Sequence, residues 1–408
     1  MTRARLPFLL LLALPLVACG KDVSPAPQPD PRASTAAPET RPAPTAELAA
    51  SAAPIVAPTA SAIAAAAAPT ASAAVPVASA VAPAASAVAP AASAVAPEKK
   101  ASAFVSAPLP LPKASHGVIA AGVADKLLPS GGAAIVRLLD AGAEPRADLS
   151  YAVAKGPAPN LGMAMDMSVR MKVGGKQNDA KLPRMGMTLD GSVGDTNEAG
   201  EWKIKAGLVG ITVDGQGAGA EQIAAAMRPQ VQAMKGLSIN YWLSPKGRVR
   251  DVKVELPKGF PPSAQALVEG LNQSFESMVA PLPVEAIGVG AKWQVVSRMS
   301  ASGADLLQSA LYTLKAREGA QATLEVTMTQ LSASDTLKAL GSPAGTVTRV
   351  KSFSSGGNGT TRIDTASVVP VSGTMAMKTA MTVEVAPSDG PGEESAVETR
   401  TNVQLSRP

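Results

Sequence analysis

Residues 162–173 read GMAMDMSVRMKV, with four methionines at odd-numbered positions within nine residues. Successive side chains of a β-strand point to opposite faces, so the methionines share one face with Val169. The residues between them, from Ala164 to Lys172, are small, polar or charged. The stretch therefore predicts a long strand with one apolar face, and it favours a folded region built around a sheet.

Two further stretches repeat this alternation, at residues 185–189 and 375–385. Methionine adapts to irregular gaps in cores and to binding surfaces, and soft thioethers also bind Cu(I). Three interpretations are open: an ordinary core, the lining of an apolar ligand cavity, and a copper site. Copper is the weakest, because neither His nor Cys accompanies the methionines, and no metal site is predicted. The candidate apolar ligand face consists of Met163, Met165, Met167, Met171, Met185, Met187, Met375, Met377 and Met381.

Alternation of period two recurs along most of the chain after residue 116. The predicted strands are Leu149–Ala154, Met163–Val173, Arg184–Asp190, Trp202–Leu208, Leu237–Leu243, Val249–Leu256, Trp293–Met299, Leu311–Ala316, Ala322–Gln330, Arg362–Val369, Met375–Val385 and Val397–Leu405. Turn dipeptides separate several of them, at Asp190-Gly191, Lys246-Gly247 and Glu318-Gly319.

Two segments with helical periodicity lie between strands. Ala220–Lys235 carries apolar residues on one side and contains Pro229, whereas the second segment starts at the cap Ser263 and ends before Pro281. The predicted fold class is therefore α+β and β-rich. We expect a long, curved, mostly antiparallel sheet with two or three helices packed on one face, preceded by a disordered linker.

The N-terminus has the pattern of a secretory signal peptide. Arg3 and Arg5 precede an apolar run over residues 6–17, which is too short to span a bilayer comfortably. The ending Leu-Val-Ala-Cys19 resembles the lipobox of bacterial lipoproteins, which implies cleavage before Cys19 and its modification with lipid, palmitate included. In that pattern Gly20, in place of Asp, implies transport to the cell outer membrane. Cys19 is the only cysteine, so no disulfide is expected.

The chain after Cys19 is almost wholly Ala, Pro, Ser, Val and Thr up to about residue 113. Ser-Ala-Val-Ala-Pro occurs three times at seven-residue intervals, but a proline in each repeat excludes a coiled coil. The predicted organisation is a signal peptide over 1–18, the lipidated cysteine and a disordered tether over 19–115, and a β-rich folded domain over 116–408. A division into two subdomains near residues 281–290 is a further option.

Charge and aromatic content argue against nucleic-acid binding. The formal net charge is +5, and the chain holds five Phe, three Trp and three Tyr without a Lys/Arg cluster interleaved with them. After the signal peptide the sequence has no uninterrupted apolar run of about 18 residues, the length that predicts a membrane-spanning helix. The mature protein is therefore expected to contact the membrane through its lipid alone.

Motifs for catalysis are weak. The only histidine, His116, lies at the edge of the tether, which leaves His-based acid–base catalysis and serine triads unsupported. Gly215, Gly217 and Ala220 match G-x-G-x-x-A, but the next strand ends at Ser244 without the acidic residue that a dinucleotide site requires. We predict a flexible turn there, no catalytic residue and no cofactor. An envelope hydrolase that uses carboxylates is a weaker alternative.

One junction resembles a known group of proteins. Pro281, Pro283 and Val284 precede Gly288-Val-Gly-Ala-Lys-Trp293, and residues 138–151 read LLDAGAEPRADLSY. Over about residues 130–405 this resembles uncharacterised bacterial outer-membrane lipoproteins of the domain-of-unknown-function type. The resemblance implies a β-rich envelope domain and brings no activity or catalytic residue with it.

These observations predict a lipid-anchored, non-enzymatic protein of the cell envelope. It would present a binding or scaffolding domain for an unknown envelope protein on a long tether, at the periplasmic face of the outer membrane or at the cell surface. The alternative is a carrier of an apolar ligand, a lipid or lipopeptide, in a methionine-lined cavity, similar to lipoprotein-carrier folds.

Overall fold

Strands account for most of the folded chain. The computed structural model describes residues 105–216, 219–260, 279–301, 303–337, 346–387 and 392–408. Of these residues 60% are in strands and 7% in helices, so the predicted β-rich fold is confirmed. The predicted signal peptide, Cys19, the predicted tether up to residue 104 and the helix predicted to begin at Ser263 lie outside the described residues.

The described elements begin with short strands and a short helix and continue as long strands. The first elements are β1 (Ala114–Ser115), β2 (Val118–Ile119), α1 (Val123–Leu127), β3 (Ile135–Asp140), β4 (Gly156–Val173), β5 (Lys176–Lys181), β6 (Arg184–Thr196) and β7 (Trp202–Asp214). They are followed by α2 (Ala220–Gln232), β8 (Ser238–Leu243), β9 (Val249–Glu255), β10 (Lys292–Ala301), β11 (Ala304–Glu318), β12 (Gln321–Ser332), β13 (Thr336–Leu337), β14 (Thr346–Asp364), β15 (Ser372–Pro387) and β16 (Glu393–Ser406).

All strands in the described part of the chain belong to one large, open sheet. Its main path runs β3-β10-β11-β12-β14-β15-β16-β4-β6-β7-β8-β9, with β1, β2, β5 and β13 beside it. Neighbours on the path pair antiparallel, both where a tight turn joins consecutive strands, as in β10–β11, and where the strands are far apart in sequence, as in β16–β4. Among the described strands one pair is parallel, where Val118 of β2 lies opposite Ser332 of β12. The predicted mostly antiparallel sheet is thus confirmed.

The predicted strand Leu149–Ala154 is wrong. This segment forms no ladder: the Tyr151 amide donates to the Pro245 carbonyl at 2.8 Å, and the Ala152 amide donates to the Thr365 carbonyl at 2.8 Å. Its alternating side chains are nevertheless buried in the core. The alternation therefore predicted correctly which side chains are buried. The backbone groups, however, bond to two separate loops and not to a neighbouring strand.

Two other sequence expectations are corrected. The predicted strand Arg362–Val369 ends at Asp364, because it is only the last part of β14, whose middle, residues 352–359, is rich in Ser and Gly and lacks a β-propensity signal. The turn predicted at Asp190-Gly191 is wrong, since β6 continues through it and Gly191 pairs with Ala206 of β7. The turns at Lys246-Gly247 and Glu318-Gly319 are confirmed, with positive φ at both glycines.

The main core joins strands from both ends of the path. Trp293 of β10 stacks on Tyr312 of β11, with ring centroids 5.5 Å apart and planes 7° apart. The indole Nε1 of Trp293 donates to the Pro281 carbonyl at 2.8 Å. Leu138 of β3 and Leu243 of β8 belong to the same cluster of buried side chains. Strands that precede residues 281–290 and strands that follow them therefore share one sheet and one core.

The two described helices belong to core clusters on opposite faces of the sheet. Met227 of α2 is buried in the cluster that contains Val295, whereas Ala124 of α1 is buried in the cluster that contains Val296. Consecutive strand residues point to opposite faces. The expectation that the helices pack on one face is therefore wrong for this pair.

The segment that leads into the sheet is held by a side-chain clamp. The Ser106 amide donates to the Leu138 carbonyl at 2.8 Å, so the chain already follows the edge of β3 there. The Gln294 amide group accepts from the Leu109 N–H at 2.7 Å and donates to the Leu109 carbonyl at 3.0 Å. Leu109 and Leu111 pack against the cluster around α1. Contacts of the folded region thus begin upstream of residue 116, the predicted start of the domain.

Candidate functional site

The candidate methionines all lie on one face of the central strands β6, β4, β16 and β15. Pairing is in register, so that side chains of successive strands form rows across the sheet. The rows are Leu405–Met163–Met187, Met375–Val403–Met165–Met185, Met377–Thr401–Met167 and Met381–Val397–Met171. The structure therefore brings together, as a methionine face, residues that the sequence places more than 200 positions apart.

The methionine face is only partly buried. Met185 and Met187 pack against the main core, and Met381 packs against a smaller cluster that includes Phe353 and Val383. The other six, Met163, Met165, Met167, Met171, Met375 and Met377, are partly buried and belong to none of the three core clusters. None of the side chains in these rows carries a charge.

Two of the methionines occupy space that glycines leave open. Gly357 and Gly359 of β14 lie opposite Met377 and Met375. A Cβ atom at Gly359 would lie 3.1 Å from the Met375 Cε, and one at Gly357 would lie 2.9 Å from the Met377 Cγ. These side chains lean over the β14 backbone, which is how flexible thioethers fill irregular gaps.

A buried polar ladder crosses the same face. The Gln330 Nε2 donates to the Gln308 Oε1 at 2.9 Å, the Ser355 hydroxyl donates to the Gln330 Oε1 at 2.6 Å, and the Ser355 and Thr379 hydroxyls are 2.8 Å apart. Gln330 and Ser355 are each 5% exposed. The sequence alone does not predict this ladder, because one polar residue per strand becomes a row only once the register is known. The ladder separates Met381 from Met375 and Met377.

Cavities lie at both ends of the central strands. One, of about 690 Å³, is lined by Met163, Met187 and Leu405 together with polar residues. The other, of about 680 Å³, is lined by Met381, Phe353 and polar or charged residues. The remaining candidate methionines line neither of these two cavities. Neither of these two cavities is therefore a closed cavity lined by methionines.

The histidine lies apart from most of the methionines. His116 sits in the turn between β1 and β2 with a φ of 49°, is exposed, and lines the 680 Å³ cavity that also contains Met381. Its carbonyl accepts the Phe353 amide at 2.8 Å, which gives this turn a structural role. Among the described residues no group of three or more His, Cys, Asp or Glu side chains could hold a metal ion.

Carboxyl groups with shifted pKa values are held by cations. Hydrogen bonds from Arg400 and Lys378 lower the pKa of Glu398, which lines the 680 Å³ cavity. The pKa is likewise below its ordinary value in Asp148, Asp179, Glu201, Glu221 and Glu384. A general acid at neutral pH needs the opposite shift. These groups are therefore suited to ion pairing.

The residues that carry the family resemblance have clear packing roles. Trp293 is fully buried, and a Cβ atom at Gly288 would lie 1.7 Å from the Ala143 carbonyl oxygen, so only glycine fits there.

Gly215, from the glycine-rich loop, lies against the start of α2, where a Cβ atom would be 2.5 Å from the Glu221 Cα. Gly217 of the same loop lies outside the described residues.

Comparisons with known proteins leave the chain without an assigned family. No family model matches the chain, and no curated protein matches it significantly. The resemblance to uncharacterised outer-membrane lipoproteins stays a prediction. No helix in the described part of the chain combines the length and the apolar character needed to cross a membrane.

Proposed function

We propose that the protein is a lipid-anchored, non-enzymatic binding protein of the cell envelope whose methionine face binds the acyl chain of a lipid or lipopeptide. Cys19 would hold it to the outer membrane, and the Ala/Pro-rich tether would let the domain reach away from that membrane. One observation carries the proposal. Met163, Met165 and Met167 are partly exposed, and the side chains beside them in the rows of the methionine face are uncharged. Soluble monomers rarely leave a contiguous apolar patch of this kind without a use for it.

The dimensions of the face suit an acyl chain. From Met163 to Met171 the strand advances eight residues, or about 27 Å at the usual rise. One leaflet of a bilayer is about 15 Å of hydrocarbon thick, so a lipid chain fits along the strand. Methionine side chains can adjust to chains of different length and unsaturation.

The course of the sheet supports the same function. Strands from both ends of the path contribute to one core cluster, and Met185, Met187 and Leu405 join that cluster from the side of the methionine face. We infer from this that the sheet is curved, with the methionine face on the side of the curve that holds the main core. An acyl chain on this face would extend the existing core and would not need a separate cavity.

Binding of a fluorescent fatty acid, dansyl-undecanoic acid, tests the proposal. The full chain carrying Cys19→Ala is used, so that its own lipid does not compete. Met165→Gln with Met167→Gln keeps the side-chain length but adds a polar amide to the face, and we expect at least tenfold weaker binding.

Leu311→Gln is the matched control, because Leu311 is 39% exposed on the opposite side of its strand from Ala310 and Tyr312. It should bind as tightly as the parent chain. Equal binding by the double variant, or no saturable binding by the parent chain, would refute the acyl-chain proposal. A lipid-free protein partner on this face would then be the better explanation.

A further inference from the structure

The 690 Å³ cavity lies mainly on the face of the sheet opposite the methionine face. It extends from β12 to β6, and its walls carry Arg362, Thr360, Thr374, Gln404 and Arg184. In each strand these residues alternate with those of the methionine face, so their side chains point away from it. We refer to this cavity as the hydroxyl groove.

Hydroxyl and amide groups form ordered rows in the hydroxyl groove. Thr360, Thr374 and Gln404 lie opposite one another on β14, β15 and β16, and Arg362, Ser372 and Ser406 form the adjacent row. Neighbouring strands are about 4.8 Å apart, so each row offers a polar group at that interval. Such a repeat matches a ligand that also carries hydroxyl groups at short, regular intervals.

The floor of the groove has no side chains at two positions. Gly162 of β4 and Gly186 of β6 line it, and a Cβ atom at Gly186 would come within 2.6 Å of the Thr212 Oγ1. The Thr212 hydroxyl therefore occupies the space over Gly186, and the Ser406 hydroxyl lies close to Gly162, where a Cβ atom would be 3.2 Å from the Ser406 Oγ.

The two guanidinium groups retain donors for a ligand. The Arg184 Nη2 donates to the Gln404 Oε1 at 3.3 Å, and its Nε is 3.9 Å from the Asp166 Oδ2. The Arg362 Nη2 donates to the Gln321 side chain. A guanidinium has five N–H donors, so these contacts use only part of each group. Arginine is the side chain best suited to bind carboxylate or phosphate with two parallel hydrogen bonds.

The spacing of the arginines selects an extended ligand. Arg362 stands on β14 and Arg184 on β6, four strand spacings away, which is about 19 Å between the strands. A single phosphate ion cannot reach both. The groove lining contains no aromatic side chain on which nucleic-acid bases could stack.

We propose that the hydroxyl groove binds an anionic saccharide, a sugar chain that carries carboxylate or phosphate groups. The arginines bind its charged groups, and the Thr, Ser and Gln rows bind its hydroxyl groups. The polar side chains of this site lie on the other face of the same strands, although Met163, Met187 and Leu405 also line the cavity, so the arginine variants test it separately from acyl-chain binding.

Calorimetric titration of the full-length, lipidated protein in detergent micelles tests the proposal. The probe is an oligogalacturonate of about ten residues, a carboxylated sugar chain, with a neutral dextran oligomer of similar length for comparison. We expect saturable binding of oligogalacturonate that weakens with added salt, and at least tenfold weaker binding of dextran. Arg184→Gln and Arg362→Gln should each weaken oligogalacturonate binding about tenfold.

Arg248→Gln is the matched control for charge. Arg248 is exposed in the turn between β8 and β9, outside the hydroxyl groove, and this variant should bind like the parent protein. Equal weakening by all three variants would show a diffuse charge effect and would overturn the proposal. So would equal binding of a single-stranded oligonucleotide, binding of inorganic phosphate alone with the same affinity, or no binding of oligogalacturonate at all. Loss of fatty-acid binding in the earlier experiment would leave these outcomes unchanged.

Discussion

At the level of single residues, Arg298 is the most deeply buried charge in the ion pairs of the described chain. Its side chain is 5% exposed, and its guanidinium pairs with Asp305 at 2.6 Å and with Asp125 of α1 at 3.1 Å. It also donates to the Leu128 carbonyl at 2.9 Å, just after α1. One side chain therefore ties α1 to the β10–β11 hairpin.

We predict that Arg298→Leu destabilises the fold by about 2–4 kcal/mol, because it leaves the Asp305 carboxylate and the Leu128 carbonyl without a buried partner. The measurement is the free energy of unfolding from urea denaturation. Lys315→Met is the control, since the Lys315–Glu325 pair is about half exposed on both sides and should contribute less than about 1 kcal/mol. Similar losses in both variants would contradict the structural role given to Arg298.

A second residue-level prediction concerns Asp148. Burial alone would raise the pKa of this carboxyl, but hydrogen bonds from Lys246 and Ser150 and the charge of Arg317 outweigh burial, and the pKa lies below its ordinary value. A carboxyl whose pKa is lower in the folded state stabilises the fold above its unfolded pKa, and this stabilisation disappears as the pH falls through the folded pKa. Asp148→Asn should therefore be less stable than the parent at pH 7.

The difference between Asp148→Asn and the parent should shrink as the pH falls below about 4, the unfolded pKa of an aspartate. Urea denaturation at a series of pH values from 7 to 2.5 measures it. A constant difference across that range would show that the hydrogen bonds of Asp148, and not its charge, matter. Asp195→Asn is a suitable comparison, because its pair with Lys155 is largely exposed.

Residue patterns alone predicted which side chains share a face but not what covers them. The alternation at residues 162–173 correctly placed four methionines on one side of a strand. Whether Met375 packs over Gly359, or Gln330 bonds to Ser355, depends on which strands are neighbours and in which register. Those pairings join residues on different strands, and nothing local in the sequence specifies them.

At the level of elements, the segment before β1 behaves as part of the sheet edge. Leu109 is clamped by Gln294, and Leu109 and Leu111 pack on the cluster around α1. Composition did not reveal this, because the same Ala, Pro and Ser residues continue from the tether into the clamped segment, and the apolar signal consists of a few isolated side chains.

We predict that removal of residues 1–104 leaves the unfolding midpoint of the domain unchanged, whereas removal of residues 1–112 lowers it. The longer deletion exposes the cluster around α1 and leaves the buried Gln294 amide without two of its hydrogen-bond partners. Thermal unfolding of both truncated proteins, followed by circular dichroism, makes the comparison. Equal midpoints would mean that residues 105–112 contact the sheet without stabilising the domain.

Element prediction was best for strands with strict alternation and worst where other rules compete. β15 and β16 were predicted within a few residues, because their apolar and polar faces differ clearly. Most of β14 was missed, since the Ser- and Gly-rich stretch at residues 352–359 has no hydrophobic period and separates the short apolar start of the strand from its end. In contrast, the segment around Tyr151 had the period without being a strand, because its side chains are buried in the core while its backbone bonds to two loops.

At the level of the whole molecule, the proposed function needs two parts: the β-rich domain described by the structure, and the lipid anchor at Cys19, which only the sequence predicts. The two candidate binding faces lie on opposite sides of the same central strands, so a lipid and a saccharide could be bound at once. An anchored domain with these two faces would connect lipid and glycan components of the envelope.

The anchor itself gives the last prediction. If Cys19 carries the lipid, Cys19→Ala removes acyl chains whose buried methylenes each contribute about 0.8 kcal/mol of membrane binding. The variant should move from the membrane fraction to the soluble fraction after cell lysis. Gly20→Asp keeps the lipid but changes the sorting residue after the cysteine, so that protein should stay in membranes and shift from the outer to the inner membrane in a density gradient. A Cys19→Ala protein that stays in the membrane would show that another part of the chain binds there, and the methionine face would be the first surface to examine.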